Sequence, residues 1–341
     1  MSKTILTGLQ ATGKIHLGNY LGALLPMVKK QETLEKNDKL FFFVPDLHSF
    51  TTPIEHHTFY NRILENVRIY LAAGINPNLS NVVLYRQSHI PAHSELAWIL
   101  SCFSYFGEMQ KMTQFKDKSR HKGENVSVGL FTYPILMAAD ILLYKANYIP
   151  LGDDQKQHLE LTRDLAIRFN HKFEKDIFTV PENWAKQLEF MNLKEGVRIR
   201  SLQQPERKMS KSVEDPKGTI LLEDEPAAAG KKIMSAVTDN LESINWDWEK
   251  QPGITNLLQI LALLSGKTNE EVAKQWAGQS QYGPFKKEVA KVVEEFLTNF
   301  QSKLNKVKIA EVEAVLKKGE AELNILAKET LLEVQKAVGV Y

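Results

Sequence analysis

At 341 residues the chain has room for about two domains, and its 43% hydrophobic and 25% charged residues are ordinary for a soluble globular protein. A formal net charge of +2 argues neither for nor against a polyanionic partner, which only a local patch could hold. Cys102 is the single cysteine, which excludes an intramolecular disulfide, a cysteine zinc cluster and an iron–sulfur cluster.

The opening residues carry no signal-peptide pattern, so the cytoplasm is the expected compartment. After the β-branched pair Thr4 and Ile5, residues 7–23 read TGLQATGKIHLGNYLGA, a pattern of strand, glycine-rich turn and helix. Gly8, Gly13, Gly18 and Gly22 recur across it, and glycine lets backbone turn sharply or touch a flat ligand. A helix opening near Gly18 aims free N–H groups and the positive end of its dipole at its neighbour, usually a phosphate. Residues 8–15 nearly spell the P-loop Gly-x4-Gly-Lys, but Ile15 stands where a hydroxyl must hold magnesium. The competing nucleotide site centres on His16-Leu17-Gly18-Asn19, where Gly18 admits an adenine ring and polar neighbours reach its phosphates. Taken alone, that tetrapeptide fits a plain helix start equally well.

Residues 19–34 follow as the first helix. Residues 40–44 are wholly apolar, as a strand buried on both faces of a parallel sheet must be. Asp46 and His48 then fall at the strand's carboxyl end, the edge where open α/β sheets bind ligands. A helix over 55–73 stops at Gly74, 82–85 is a third strand, and 92–110 a long helix. This alternation predicts a doubly wound, Rossmann-like parallel sheet. Residues 112–129 break the pattern: Lys116, Lys118, Arg120, His121 and Lys122 crowd a stretch with little apolar periodicity. It reads as a solvated loop or as a mobile basic loop that closes over a polyanion.

Residues 132–144 (TYPILMAADILLY) form the most informative helix, in which Asp140 is one carboxylate in an apolar run too short to span a bilayer. Tyr133, Met137, Asp140 and Tyr144 share one helical face. A buried carboxylate needs donors. An internal Arg or backbone N–H supplies them, or a ligand N–H does, with Tyr133 and Met137 walling a flat pocket. An indole, with one ring N–H and no acceptor, suits the second arrangement. Residues 148–151 read as another strand; Gly152-Asp153-Asp154-Gln155 then opens a helix reaching about residue 170, with both aspartates at its positive end. A last strand is expected over 197–202.

Between Pro205 and Pro216 lies Lys208-Met209-Ser210-Lys211-Ser212, whose ammonium and hydroxyl groups give donors that can follow a moving phosphate. The remainder is helical in pattern over 227–236, 254–264, 270–276 and 285–300, then in two apolar segments on either side of Gly319. The expected division is a Rossmann-like catalytic domain over 1–204 and a helical domain over 205–341, with its last forty or so residues packing back on the first. Lys231, Lys232, Lys286 and Lys287 fit either a solvated helix surface or contact with a phosphate backbone.

Together these residues resemble a class I aminoacyl-tRNA synthetase, specifically the bacterial-type tryptophanyl-tRNA synthetase family, over essentially the whole chain. His16-Leu17-Gly18-Asn19 resembles the HIGH signature, with Asn19 in place of its second His. Lys208 to Ser212 matches KMSKS letter for letter. Met137-Ala138-Ala139-Asp140 resembles the family's tryptophan-recognition helix, and Gly152-Asp153-Asp154-Gln155 its ribose and substrate turn.

The resemblance implies ATP-dependent activation of tryptophan, then transfer to tRNA(Trp). Gln10, Ala11, Thr12, His16, Gly18 and Asn19 would line the ATP site, with Gly152, Asp153 and Asp154 at the ribose or the amino acid. Ile199 and Met209 would flank adenine. Lys208, Ser210, Lys211, Ser212 and the mobile Lys118 would meet the phosphates, with Lys208, Lys211, Lys118 and Gln10 acting in catalysis. Asp140, Tyr133, Met137, His48, Gln155 and Gly8 would form the tryptophan pocket, Gln155 meeting the ammonium group. Mg2+ would ride on the ATP phosphates with no separate metal site, the chain would form a homodimer, and the helical region would read the anticodon. The nearest rival, a tyrosyl-tRNA synthetase, shares the fold and both signatures; Asp140 favours tryptophan.

Overall fold

In a computed structural model, which describes residues 2–9, 14–119, 125–191, 197–210 and 216–341, three parallel strands form the centre. They are β1 (Thr4–Gly8), β2 (Lys39–Val44) and β3 (Val82–Arg86), paired in the order β1-β2-β3. Alternation along each strand feeds two cores. Ile5, Leu40, Phe42, Val82 and Leu84 enter one. Leu6, Phe41, Phe43, Val83 and Tyr85 enter the other. Burial on both faces is why β2 and β3 read as continuous apolar runs.

The first helix, α1, opens at Leu17–Asn19, passes a π-helical turn at Tyr20–Leu24 and continues as Leu25–Gln31. Helix α2 (His56–Ala73) ends at Gly74, whose φ of 112° lets its N–H reach the carbonyls of Tyr70 and Leu71. The long helix expected over 92–110 is two: α3 (Ala92–Ser101) and α4 (Phe106–Gln110). Tyr105 between them is extended and closes a capping box with Glu108. The Ser101 and Ser104 hydroxyls bond back to the Ala97 and Leu100 carbonyls. The basic stretch read as a loop contains a helix, α5 (Thr113–Ser119), anchored where Phe115 meets Phe131 with ring centroids 5.1 Å apart. Next come α6 (Val128–Leu143), a 3-10 turn at Asp153–Gln155, α7 (Lys156–Phe173) and α8 (Trp184–Phe190).

Two expected strands are reduced to single bridges. Tyr148 pairs with Ile5 in parallel, its carbonyl accepting from Leu6 at 3.0 Å. The ladder then stops, because the Ile149 N–H donates to the Gln187 side chain and Pro150 has none to give. Over 197–202 only Arg200 pairs, antiparallel with Lys208, and its N–H goes to the Asn256 side chain.

The last third is helical: α9 (Pro226–Met234), α10 (Pro252–Ser265), α11 (Asn269–Trp276), α12 (Tyr282–Leu304) and α13 (Ile309–Val338). The two segments expected around Gly319 are one helix that crosses the edge of the sheet. Val312 and Leu316 enter the first core, and Leu323, Ala327, Leu331 and Val334 the second. Gly319 sits at the crossing, where a Cβ would collide with the Leu84 carbonyl of β3. The next residue, Glu320, grips Arg86 through two hydrogen bonds of 2.5 and 3.0 Å. No helix among the described residues is long and apolar enough to cross a membrane.

Candidate active site

Tyr148 bridges β1 on the side away from β2, so the order of segments reverses at β1. Such a reversal opens a crevice at the carboxyl ends of the strands. Here the crevice is a cavity of about 240 Å³, bounded by Leu6, Thr7 and Gly8 of β1, Phe43 of β2 and Pro45 just past it, and Ile149 and Leu151. Helix α6 closes it with Tyr133, Met137, Asp140 and Ile141, and His48 and Gln155 complete the wall. A Cβ on Gly8 would collide with the Phe43 carbonyl and ring, so glycine lets β1 and β2 converge there. The six residues expected to form an aromatic amino-acid pocket therefore line one space.

Asp140 is 1% exposed, and among the described residues neither an arginine nor a backbone amide holds its carboxylate. Its Oδ1 accepts from Gln87 Nε2 at 2.7 Å and from His93 Nδ1 at 2.6 Å. His48 Nε2 lies 2.8 Å from Oδ2. Burial alone pushes the Asp140 carboxyl up; the charge and hydrogen bond of His48, then those of His93, outweigh it and hold the group below its ordinary value. Asp140 is thus kept as an anion, an acceptor on a wall that mixes apolar side chains with His48, Tyr133, Gln155, Thr7 and Thr51.

Across the cavity, Gln155 is fixed from two sides. Its Nε2 donates to Asp154 Oδ2 at 2.8 Å and its Oε1 lies 2.7 Å from His158 Nδ1. His158 Nε2 is 3.1 Å from the Tyr133 hydroxyl, so Tyr133 on α6 and Gln155 before α7 are braced through one ring. Burial raises the Tyr133 phenol, with the Asp154 charge adding to it, so that hydroxyl stays protonated. Gly152, Asp153 and Asp154 are exposed beside it.

The first signature turn meets the chain on either side of the second signature, at Ile199 before it and at Ile220 and Leu222 after it. His16 caps α1 by accepting from the Asn19 N–H at 3.2 Å, while Asn19 Oδ1 accepts from the His16 N–H at 3.3 Å. Asn19 therefore closes a capping box. A Cβ on Gly18 would lie 3.0 Å from His16 Nδ1 and 3.4 Å from Ile199 Cβ, so Gly18 packs between the capping ring and Ile199. Residues past the second signature pair with this turn: Leu17 N–H donates to Ile220 at 2.8 Å and Leu222 N–H to Ile15 at 3.0 Å. Met209 N–H donates to Ile199 at 3.0 Å, and the Thr219 hydroxyl bonds the Ser210 carbonyl. Ile199 and Met209, expected at an adenine ring, are each 1% exposed within the core; Lys208 and Ser210 are exposed. Lys118 lies on α5, while Gln10, Ala11, Thr12, Lys211 and Ser212 lie outside the described residues, as do Arg120, His121 and Lys122.

Sequence reasoning missed Gln87 and His93. Gln87 follows β3, at the same sheet edge as Asp46 and His48, and that position was the available signal. His93 sits in the apolar run of α3 and carries no local mark. Asp46 proves structural, accepting from the Ser88 amide at 2.9 Å and hydroxyl at 2.5 Å and so tying the ends of β2 and β3.

A parallel sheet with its cavity at the order reversal, and a capped glycine turn strapped to a distant lysine–serine loop, define the catalytic core of a class I tRNA synthetase. A family model for class I tRNA synthetases (W and Y) matches residues 2–298. The tryptophan–tRNA ligase of Caldanaerobacter subterraneus subsp. tengcongensis is 48% identical over 338 residues, covering 99% of this chain and 98% of the relative. Tryptophanyl-tRNA synthetase from Mycoplasma pneumoniae has the same fold, with a TM-score of 0.85 at 36% identity over 100% of this chain and 99% of that one. The Campylobacter jejuni enzyme, solved in complex with ADP and tryptophan, gives 0.77 at 31% identity over 98% and 99%. This chain belongs to the bacterial-type tryptophanyl-tRNA synthetases.

Proposed function

We propose that the chain is a tryptophan–tRNA ligase that works in two steps in the cytoplasm, where its tRNA is used. The tryptophan carboxylate attacks the α-phosphorus of Mg-ATP in line, and pyrophosphate leaves. A ribose hydroxyl of the terminal adenosine of tRNA(Trp) then attacks the adenylate carbonyl, and AMP leaves. No group on the protein becomes covalently attached, so rate enhancement comes from positioning and electrostatics.

The observation that carries this reading is Asp140, an anionic acceptor on the wall of the cavity at the sheet's ligand edge. We assign it the indole N–H, with Tyr133, Met137, His48 and Gly8 around the ring and Gln155 at the ammonium group. Gln10, Ala11, Thr12, His16, Gly18, Asn19 and the 152–154 turn take ATP, and Ile199 and Met209 underlie its adenine. Lys208, Lys211 and Lys118, with Ser210 and Ser212, stabilise charge on the departing pyrophosphate. Mg2+ arrives as part of the nucleotide substrate. Residues 1–204 carry out activation, 205–341 supply the signature loop and read the anticodon, and two copies form the working dimer. The ADP and tryptophan in the Campylobacter complex support the substrate pair.

A site that hydrogen-bonds a substrate N–H rejects an analogue lacking it by about 10⁴–10⁵. Amino-acid-dependent ATP–pyrophosphate exchange tests the assignment directly. Exchange with tryptophan and not tyrosine is expected; the reverse preference makes this a tyrosyl enzyme.

A further inference from the structure

Behind the cavity wall, Asp140 is backed by a buried pair that does not line the cavity. His93 is 0% exposed, with Nδ1 2.6 Å from Asp140 Oδ1 and Nε2 2.9 Å from the Tyr144 hydroxyl. A carboxylate only accepts, so Nδ1 carries the proton; in a neutral ring Nε2 then accepts, and Tyr144 donates to it. Both rings are held in place. His93 stacks beside Tyr85 with centroids 6.0 Å apart, and Tyr144 meets Phe41 edge-on at 5.5 Å.

The acceptor count on Asp140 follows. Gln87 and His93 use both lone pairs of Oδ1, and His48 uses one of Oδ2. One acceptor direction, on Oδ2, has no partner among the described residues. We propose that His93 and Tyr144 are specificity-setting positioning residues: His93, oriented by the Tyr144 hydroxyl, fills one oxygen of Asp140 together with Gln87 and leaves a single acceptor direction for substrate. That arrangement rewards a ring with one N–H donor and no acceptor. A phenol can donate to it too, but brings lone pairs that a carboxylate cannot satisfy. The proposal rests on the reading that Asp140 meets the indole N–H.

The test compares kcat/KM in ATP–pyrophosphate exchange for tryptophan and for benzothienylalanine, in which sulfur replaces the ring N–H. His93→Leu removes a donor to a buried carboxylate and is expected to lower the tryptophan preference by about tenfold or more. His93→Asn, whose Nδ2 can take the place of the lost Nδ1, keeps the preference within about threefold of wild type by the same reasoning. Tyr144→Phe lowers it by about threefold while the KM for ATP holds. A merely loosened pocket costs both substrates alike and leaves the ratio where it was, so an unchanged ratio in His93→Leu and Tyr144→Phe overturns the proposal. If His93→Leu does not fold, the Tyr144→Phe ratio decides alone. Wild-type enzyme that does not prefer tryptophan over the sulfur analogue overturns the indole reading itself, and this proposal with it.

Discussion

The Leu17 amide and the Ile220 carbonyl, far apart in sequence, share a hydrogen bond of 2.8 Å. With the bond from Leu222 to Ile15 it makes a short antiparallel strap between the turn that opens α1 and the chain leaving the lysine–serine loop. The strap ties the first signature turn to the chain that leaves the second signature. Gly18 lies inside this junction, against His16 and Ile199.

Gly18→Ala tests the junction. Alanine in a helix gains up to about 1 kcal/mol over glycine, whereas overpacking a tight contact costs about 1–3 kcal/mol. The His16 ring or Ile199 must give way, so overall stability changes little and the damage is local. The KM for ATP is expected to rise about tenfold, with the KM for tryptophan within about twofold. Steady-state exchange kinetics over both substrates read the split.

Asp140→Ala strips the acceptor from Gln87, His93 and His48 together. Breaking a buried charged cluster by removing one member costs about 3–5 kcal/mol. We expect a loss of that order in urea denaturation, and a loss of tryptophan binding far larger than any loss of ATP binding. Calorimetric titration with each substrate separates the two.

The same carboxyl gives a pH signature. Its folded value lies below the ordinary 3.8, so the unfolded chain binds its proton first as the pH falls. The stability it contributes is complete above the unfolded value and is lost as the pH drops through the folded one. The stability difference between wild type and Asp140→Asn should shrink as the pH falls below about 4. Urea midpoints across that range measure it.

Arg86 and Glu320 are a buried bidentate pair joining the end of β3 to α13. Burial pulls the Arg86 guanidinium down and the Glu320 contact more than restores it. Glu320→Ala leaves that cation buried without its carboxylate and is expected to destabilise the protein by about 3–5 kcal/mol. Replacing the pair with apolar residues of matched volume should cost far less. Thermal unfolding of the single and paired variants gives the comparison.

What the sequence disclosed and what it withheld divide along physical lines. β2 was legible because burial on both faces demands an unbroken apolar run, and the end of α2 because Gly74 takes a positive φ. The pocket face of α6 was legible because Tyr133, Met137 and Asp140 repeat at helical spacing. The strand at 148–151 was misread because its apolar composition hides the diversion of Ile149 to Gln187. The basic stretch concealed α5 because the anchor of Phe115, Phe131, comes from another helix. Gln87 and His93 escaped notice because donors from three elements converge on Asp140 only after folding. Gly319 resembled a break between helices, since its need for close backbone approach depends on a strand made much earlier in the chain.

The crossing of α13 over the sheet edge has a consequence for how the molecule folds. Its side chains belong to both cores, yet along the chain it follows every other described element. Until α13 docks, the outer strand keeps its flank uncovered and Arg86 lacks its carboxylate. An undocked α13 therefore leaves β3 as an open edge on which another copy could pair, so closing this edge waits on a helix made of residues distant in the chain.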